Sequence, residues 1–383
     1  MAAPMTVLFV HYGEDWLRGS EILLLDLMRN LDPGRVRPVV WCNAPAMERA
    51  CREAGLPVER DDFVFYLDHG SPAPDPWRWA KLVAKGRNLI RRHGAAVVHA
   101  NSAAPAQWMV PAARLARRPL LLHLHIAYLR RGRYVLLQHQ ADLAVGVSGQ
   151  VLEGLRADGM DPARLRVIPN GIDPARLRPS GGDVRVECGI APDAPVIATI
   201  GSLIPRKGHD VLLRALVQLP GVTLLVGGEG PQRAELEALA AAFGVAERVR
   251  FLGQVDDVAK VIQAADIFAL ASRHESFGLV LAEAGWFGRP VVAARSGGIA
   301  EVVAEGETGL LVPRDDPAAL AAALGRLLAD PAMRARMGEA GRARVEQRFT
   351  VGRMADGFEA AYAELAEGPR RRAAAWRPYL RMG

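Results

Sequence analysis

Short, unbroken apolar runs recur along the chain, each followed by a longer segment with helical or loop character, and they come in two series. The first is TVLFV (6–10), VRPVVWC (36–42), AAVVHA (95–100), PLLLHLH (119–125) and ADLAVGVS (141–148), with EILLLDLMRNL (21–31) as an intervening helix. The second is APVIATIG (194–201), VTLLVGGEG (222–230), RVRFLGQ (248–254), IFALAS (267–272) and RPVVAA (289–294). Continuous Val, Leu and Ile runs suit strands buried on both faces, and intervening helices are what parallel pairing needs. The pattern predicts an α/β chain with two Rossmann-like, doubly wound domains facing a central cleft. In such sheets ligands sit beyond the carboxyl ends of the strands, which is where the motifs below fall.

Turn residues gather between the series in RLRVIPNGIDPARLRPSGGD (164–183), where Pro169, Asn170, Gly171, Pro174, Pro179, Gly181 and Gly182 break regular structure. The expected organisation is an N-terminal domain over 1–168, a linker over 169–183 and a C-terminal domain over 184–355. A last helix, within 356–383, is expected to complete the first domain. At 383 residues, two domains are the natural expectation.

The formal net charge of +6 favours anionic partners without naming one. Nucleic acid is disfavoured, because zinc-finger spacing and RNP-like motifs are missing and aromatic residues make up only 6% of the chain. The three cysteines Cys42, Cys51 and Cys188 form neither a metal-like cluster nor a closed disulfide set, which suits a reducing compartment. The apolar run at Thr6–Val10 is too short for a secretory signal, and no run approaches a membrane span. The expected location is therefore cytoplasmic, with attachment to the inner face of the plasma membrane as an extension of that reading.

The segment RHESFGLVLAEAG (273–285) sets Glu275 and Glu283 around Gly278, where a helix should begin. The first amides of a helix lack internal partners and attract phosphate oxygens. Glu283 lies roughly 12 Å beyond Glu275 at helical rise. A carboxylate can accept from two vicinal hydroxyls, so one ligand with a diol at each end of a diphosphate fits this spacing. Alternatively Glu283 pairs on a helix surface and Glu275 is a solvated loop residue. GSLIPRKGHD (201–210) adds Arg206 and Lys207 at another strand end, where cations can offset diphosphate charge; the other reading is a solvated basic pair.

Gly201 with Arg206-Lys207-Gly208, LLVGGEGP (224–231), VRFLGQV (249–255), the E-x7-E of Glu275 and Glu283, and RPVVAARSGGIAEVVAEGETGLLVPRDDP (289–317) together resemble the C-terminal half of a GT-B glycosyltransferase of family 4. RGSEILLLDLMRNL (18–31), ADLAVGVS and RVIPNGID (166–173) extend the likeness over nearly the whole chain. The resemblance implies a retaining glycosyltransferase of hexosyltransferase type. The donor would be a nucleotide-diphosphate-sugar and the acceptor a glycan, lipid-linked or small-molecule hydroxyl, as in polysaccharide or glycolipid biosynthesis.

By the same resemblance Arg206 and Lys207 hold the diphosphate, Glu283 the ribose and Glu275 the transferred sugar. Ser276, Phe277, Gly278 and Leu279 line the sugar or phosphate, and Val255 borders the base. Ser202 stands where many relatives have arginine, with Arg206 close by to take over, and Gly19-Ser20 is the first-domain phosphate loop, with Ser20 where a second glycine is common. No cofactor and no dedicated metal are expected.

His123 and His125 share a strand face by alternation, and the resemblance places His125 beside the donor sugar, with His123 read as core. His99, Asn101 and Ser102 end another strand, either lining the acceptor side or bonding locally. PWRWAKLVAKGRNLIRRHG (76–94) and the tail RRRAAAWRPYLRMG (370–383) could rest on an anionic membrane surface; otherwise the first is a core-facing helix and the second a solvated end. Two other functions fit the same architecture, a nucleotide-sugar epimerase and a non-catalytic glycan-binding scaffold. A dinucleotide oxidoreductase does not, because no G-x-G-x-x-G follows the first strand.

Overall fold

The computed structural model describes residues 3–17, 19–63 and 75–368. They form two compact units, Met1–Pro169 together with the chain from Val351, and Asn170–Thr350.

The first unit is built on seven strands: β1 Met5–His11, β2 Val36–Cys42, β3 Val58–Arg60, β4 Val97–Asn101, β5 Leu120–Leu124, β6 Leu143–Gly146 and β7 Leu165–Val167. They lie in the order β3-β2-β1-β4-β5-β6-β7, all parallel. The second unit has six: β8 Val196–Ile200, β9 Thr223–Gly227, β10 Val249–Gly253, β11 Ile267–Leu270, β12 Val291–Ala294 and β13 Gly309–Val312. Their order is β10-β9-β8-β11-β12-β13, again all parallel. The central strands are buried from end to end, as their unbroken apolar runs require. Each order reverses once, at β1/β4 and at β8/β11, and there the loops leave the sheet in opposite directions and open a crevice.

Three strands escape the periodicity argument. β3, β7 and β13 are edge strands of three or four residues, too short to show a run. β7, Leu165–Val167, extends the sheet beside β6 at the end of the first unit. Residues 170–183 belong to the second unit, where Ile172 bridges Thr350 and the Ser180 amide and hydroxyl both donate to Asp257.

The chain returns to the first unit at Val351, not at 356. The reason is the helix Val351–Glu367, whose Val351, Met354, Ala355, Phe358, Ala361 and Tyr362 share one stripe sunk in the first unit's core. The basic tail 370–383 lies outside the described residues. The other basic segment is the helix Pro76–Arg92, started by Asp75, whose carboxylate accepts from the amides of Trp77 and Arg78. Its Leu82, Val83, Leu89 and Ile90 are buried, so the core-facing reading holds for that stripe, while Trp77 is 81% exposed. Cys42 and Cys51 are buried and Cys188 is partly so, all three as free thiols.

Phe358 is fully buried and meets the rings of His99, His123 and Tyr362. Phe358→Ala should lower the unfolding free energy by about 3–5 kcal/mol, read as a shifted midpoint in guanidinium titration at constant slope.

Candidate functional site

In the second unit the site residues leave the sheet on both sides of the β8/β11 reversal. After β8 the chain turns through Pro205–Lys207 into the helix His209–Leu216. Gly208 between them has φ of +68°, and a Cβ there would stand 2.2 Å from the Ala271 carbonyl oxygen. Only glycine permits this approach, which presses the Lys207 loop onto the loop after β11. Across that contact Lys207 Nζ donates to Glu275 Oε2, with the two side chains only 16% and 13% exposed.

Arg273 staples the same loops together. Its guanidinium forks onto Asp210 at 2.9 and 2.8 Å, reaches Asp315 at 2.6 Å and donates to the Pro205 carbonyl, while its amide donates to the Arg206 carbonyl at 2.8 Å. The forked bond raises the Arg273 pKa; burial acts to raise that of Asp210, but the Arg273 hydrogen bonds outweigh it and hold the carboxyl low. Asp210 and Asp315 carried no signal in the sequence, since partners 63 and 42 residues away leave no local period.

Gly278, in the left-handed region, caps the helix Leu279–Trp286. Ser276 and Phe277 are buried beneath that end, with Phe277 edge-on to Phe349 at 5.6 Å. Gly298, in the loop after β12, donates its amide to the Glu275 backbone carbonyl at 2.9 Å and ties the two loops together. Glu283 is 9% exposed on this helix, so it is not a solvated surface residue.

Arg206 is exposed and donates to the His274 carbonyl at 3.1 Å. Ser202 is exposed, its carbonyl accepting from His209 Nε2 at 3.3 Å. Val255 follows β10 and closes on Gly227, where an added Cβ would stand 2.8 Å from its Cγ2. The fold thus brings Lys207, Glu275 and the Gly278 helix end together, with Ser202 and Val255 at neighbouring strand ends.

The first unit holds a second polar group at its own reversal. His11 ends β1, Asn101 ends β4 and His125 follows β5. Asn101 Nδ2 lies 2.9 Å from His11 Nδ1, and Asn101 Oδ1 lies 2.8 Å from His125 Nε2. His11 Nε2 is 3.2 Å from Glu21 Oε1. Burial acts to raise the Glu21 pKa, but the His11 contact outweighs it and the net shift is downward. His11 and Glu21 escaped the sequence reading; the available signal was a polar residue closing an apolar run at the reversal strand.

Gly19 and Ser20 are the first residues of the helix Gly19–Asn30, and the Ser20 hydroxyl donates to Glu21 at 3.1 Å. His99 does not line an accessible face: it is fully buried and bonds the Tyr362 hydroxyl at 2.7 Å. His123 is buried between the rings of His99 and His125, in keeping with a core role. Among the described residues no group of three or more His, Cys, Asp or Glu could hold a metal ion.

Burial, with His11 adding to it, lowers the His125 pKa to about 4. Burial likewise lowers His99 to about 3, His209 to about 4, and His123 well below its ordinary value. Between about pH 4 and 6.5 the unfolded chain binds protons that the folded chain refuses. Stability should therefore be fully present above pH 6.5 and decline as pH falls through this window, each histidine adding about 1.4 kcal/mol per pH unit to the slope. Thermal unfolding across pH 4–7 checks this, and a flat profile would contradict it.

A family model described as glycosyl transferases group 1 matches residues 183–344, and one described as Glycosyltransferase Family 4 matches residues 17–176. The GDP-mannose-dependent alpha-(1-6)-phosphatidylinositol monomannoside mannosyltransferase of Mycolicibacterium smegmatis is 31% identical over 326 residues, spanning 79% of this chain and 82% of that protein. The D-inositol 3-phosphate glycosyltransferase of Nocardia farcinica is 42% identical over 196 residues, 47% of this chain and 43% of its own. The lipopolysaccharide core biosynthesis glycosyltransferase LpsE of Rhizobium meliloti matches over 49% of its length, so the chain spans about half the length of such curated relatives. Among solved structures, Anabaena HepE in complex with UDP and glucose superposes with a TM-score of 0.80 at 26% identity, covering 94% of this chain and 100% of that one. The chain belongs to glycosyltransferase family 4, the glycosyl transferases of group 1, and its two parallel-sheet units are those of the GT-B fold.

Proposed function

We propose that the protein is a retaining glycosyltransferase that moves a sugar from a nucleotide-diphosphate-sugar to a hydroxyl of a glycan, lipid-linked or small polyol acceptor. The observation that carries this reading is the Lys207–Glu275 pair set beside the Gly278 helix end at the β8/β11 reversal. A diphosphate arriving at that helix end meets unpartnered amides and competes with Glu275 for the Lys207 ammonium. Glu275, released from Lys207, then accepts from hydroxyls of the transferred sugar, while Glu283 takes the ribose diol. Arg206 is free to swing from its carbonyl partner onto the phosphates. Ser202, Val255, Ser276, Phe277 and Leu279 complete the donor side, and Gly19, Ser20 and His125 act on substrate from the first unit.

In the step itself the bond from the anomeric carbon to the diphosphate oxygen breaks, and the bond to the acceptor oxygen forms on the same face. The acceptor proton passes to the departing diphosphate, whose charge Lys207 and the helix end stabilise. Two relatives support the donor and acceptor classes: HepE was solved with UDP and glucose, and the M. smegmatis enzyme takes GDP-mannose and a phosphatidylinositol mannoside. A thermal-shift screen of UDP-, GDP-, ADP- and CMP-sugars identifies the donor, since a ligand of the folded state raises the midpoint. With that donor, Glu275→Ala and Lys207→Ala should each lower turnover by about 100-fold or more, assayed below the unfolding midpoint of each variant. Turnover at the wild-type rate in either variant would remove that residue from the mechanism, and product epimerised without transfer would favour the epimerase.

Contact with an anionic membrane surface is the second part of the proposal. No described helix is long and apolar enough to cross a membrane. The exposed Trp77, beside Arg78 and Lys81 on the helix Pro76–Arg92, gives the aromatic and basic pairing that rests on acidic headgroups. Trp77→Ala with Arg78→Glu should reduce sedimentation with phosphatidylglycerol vesicles, and equal sedimentation of both forms retires the idea.

A further inference from the structure

The positive charge of the chain is gathered in one stretch. Between Pro76 and Ala141 stand twelve Lys and Arg and neither Asp nor Glu, whereas the other 36 of the chain's 48 Lys and Arg are outnumbered by 42 Asp and Glu. The same stretch holds the two most exposed large apolar side chains among the described residues, Leu129 at 86% and Trp77 at 81%, and Ile126 is 52% exposed. Apolar side chains standing in water among unopposed cations suit the boundary between acidic headgroups and acyl chains. A nucleic acid would answer the charge but would leave a protruding leucine without a partner.

The fold brings these residues to the carboxyl end of the first sheet. Ile126 and Leu129 follow the end of β5 at Leu124. The helix Ala106–Ala116 begins shortly after β4, at the same end. Trp79 Nε1 donates to the Gln107 carbonyl in that helix at 3.1 Å, so the first turn of the helix Pro76–Arg92, with Trp77 and Arg78, lies there too. From the other side the Tyr128 hydroxyl is hydrogen-bonded to the Ala103 backbone, in the loop that leads into the same helix.

The segment after β5 is braced on its inner side. Arg133 forks onto Asp158 at 2.7 and 2.9 Å and also donates to the Tyr128 carbonyl. Gly154 leaves room for this, because a Cβ there would stand 2.5 Å from Arg133 Nη1. His139 Nε2 lies 3.0 Å from the same carboxylate and Arg130 Nε lies 3.8 Å from it, so Asp158 is already engaged by basic groups. Leu136 is buried just beyond, while Leu129, Arg130 and Arg131 stay exposed. Their exposure is therefore built into the fold.

We propose that Trp77–Lys81 and Ile126–Arg131 together form one docking surface for an anionic bilayer, with Leu129 entering the acyl boundary between Arg130, Arg131 and the headgroups. This rests on the membrane contact read above from Trp77 and deepens it by adding the segment that directly follows His125. His125 then stands beside the headgroups, which selects the lipid-linked class among the acceptors.

The test is sedimentation of the full-length protein with vesicles of phosphatidylglycerol and phosphatidylcholine, against phosphatidylcholine alone. Wild-type protein should partition onto the anionic vesicles only, and less so as salt is raised. Leu129→Ser should lower that partition about tenfold, and Arg130→Glu with Arg131→Glu about 100-fold. Leu115→Ser removes another exposed leucine, at the far end of the helix Ala106–Ala116, and should leave the partition unchanged. Wild-type partition of Leu129→Ser, or an equal loss in Leu115→Ser, overturns the proposal. If Trp77→Ala with Arg78→Glu weakens binding while the Leu129 and Arg130 variants do not, this surface is wrong and the earlier contact stands; no sedimentation of the wild type overturns both. The thermal shift produced by the donor should be the same in every variant, so the transferase reading is judged separately.

Discussion

The Arg273 guanidinium is the joint on which the second unit's site depends. It spends its donors on three chain segments at once: Asp210 after β8, Asp315 after β13, and the carbonyl of Pro205 in the turn that carries Lys207. A bidentate fork of this kind fixes orientation as well as distance, which a lysine could not do. Glu275 lies two residues beyond the joint and Lys207 two beyond Pro205, so their pairing follows from the clamp rather than from their own attraction. An exposed ion pair such as Arg342 with Glu346, one helical turn apart, contributes little by comparison because solvent screens it.

Both units place polar chemistry at the same topological address. In each sheet the reversal in strand order sends successive loops apart, and the polar residues closing those strands meet in the resulting crevice. The second unit fills that place with opposite charges and a helix end, which suits a ligand bearing both phosphates and hydroxyls. The first unit fills it with the side chains of His11, Asn101 and His125, linked through the Asn101 amide, which suits hydrogen bonding to hydroxyls. Burial contributes to that character at His125, since desolvation disfavours its imidazolium.

Much of this was legible before the fold was known. Ten of the strands announced themselves as predominantly apolar runs, and Gly278 between Glu275 and Glu283 marked a helix start with a carboxylate on either side. The edge strands β3, β7 and β13 were not legible, because three or four residues cannot display a period and an edge needs no continuous apolar run. The helix Val351–Glu367 was legible as an amphipathic helix, but not where it started or how it met His99 through Tyr362.

Sequence by itself determined the two parallel sheets and the motifs at the strand ends, since periodicity and turn chemistry are local and every residue carries its part of the signal. Tertiary structure alone decided which of those polar residues would meet. Arg273 finds Asp210 across 63 positions, and His11 finds Asn101 across 90. Such pairings are set by strand order, and strand order follows from how whole helices pack on a sheet rather than from any stretch of chain that could be read on its own.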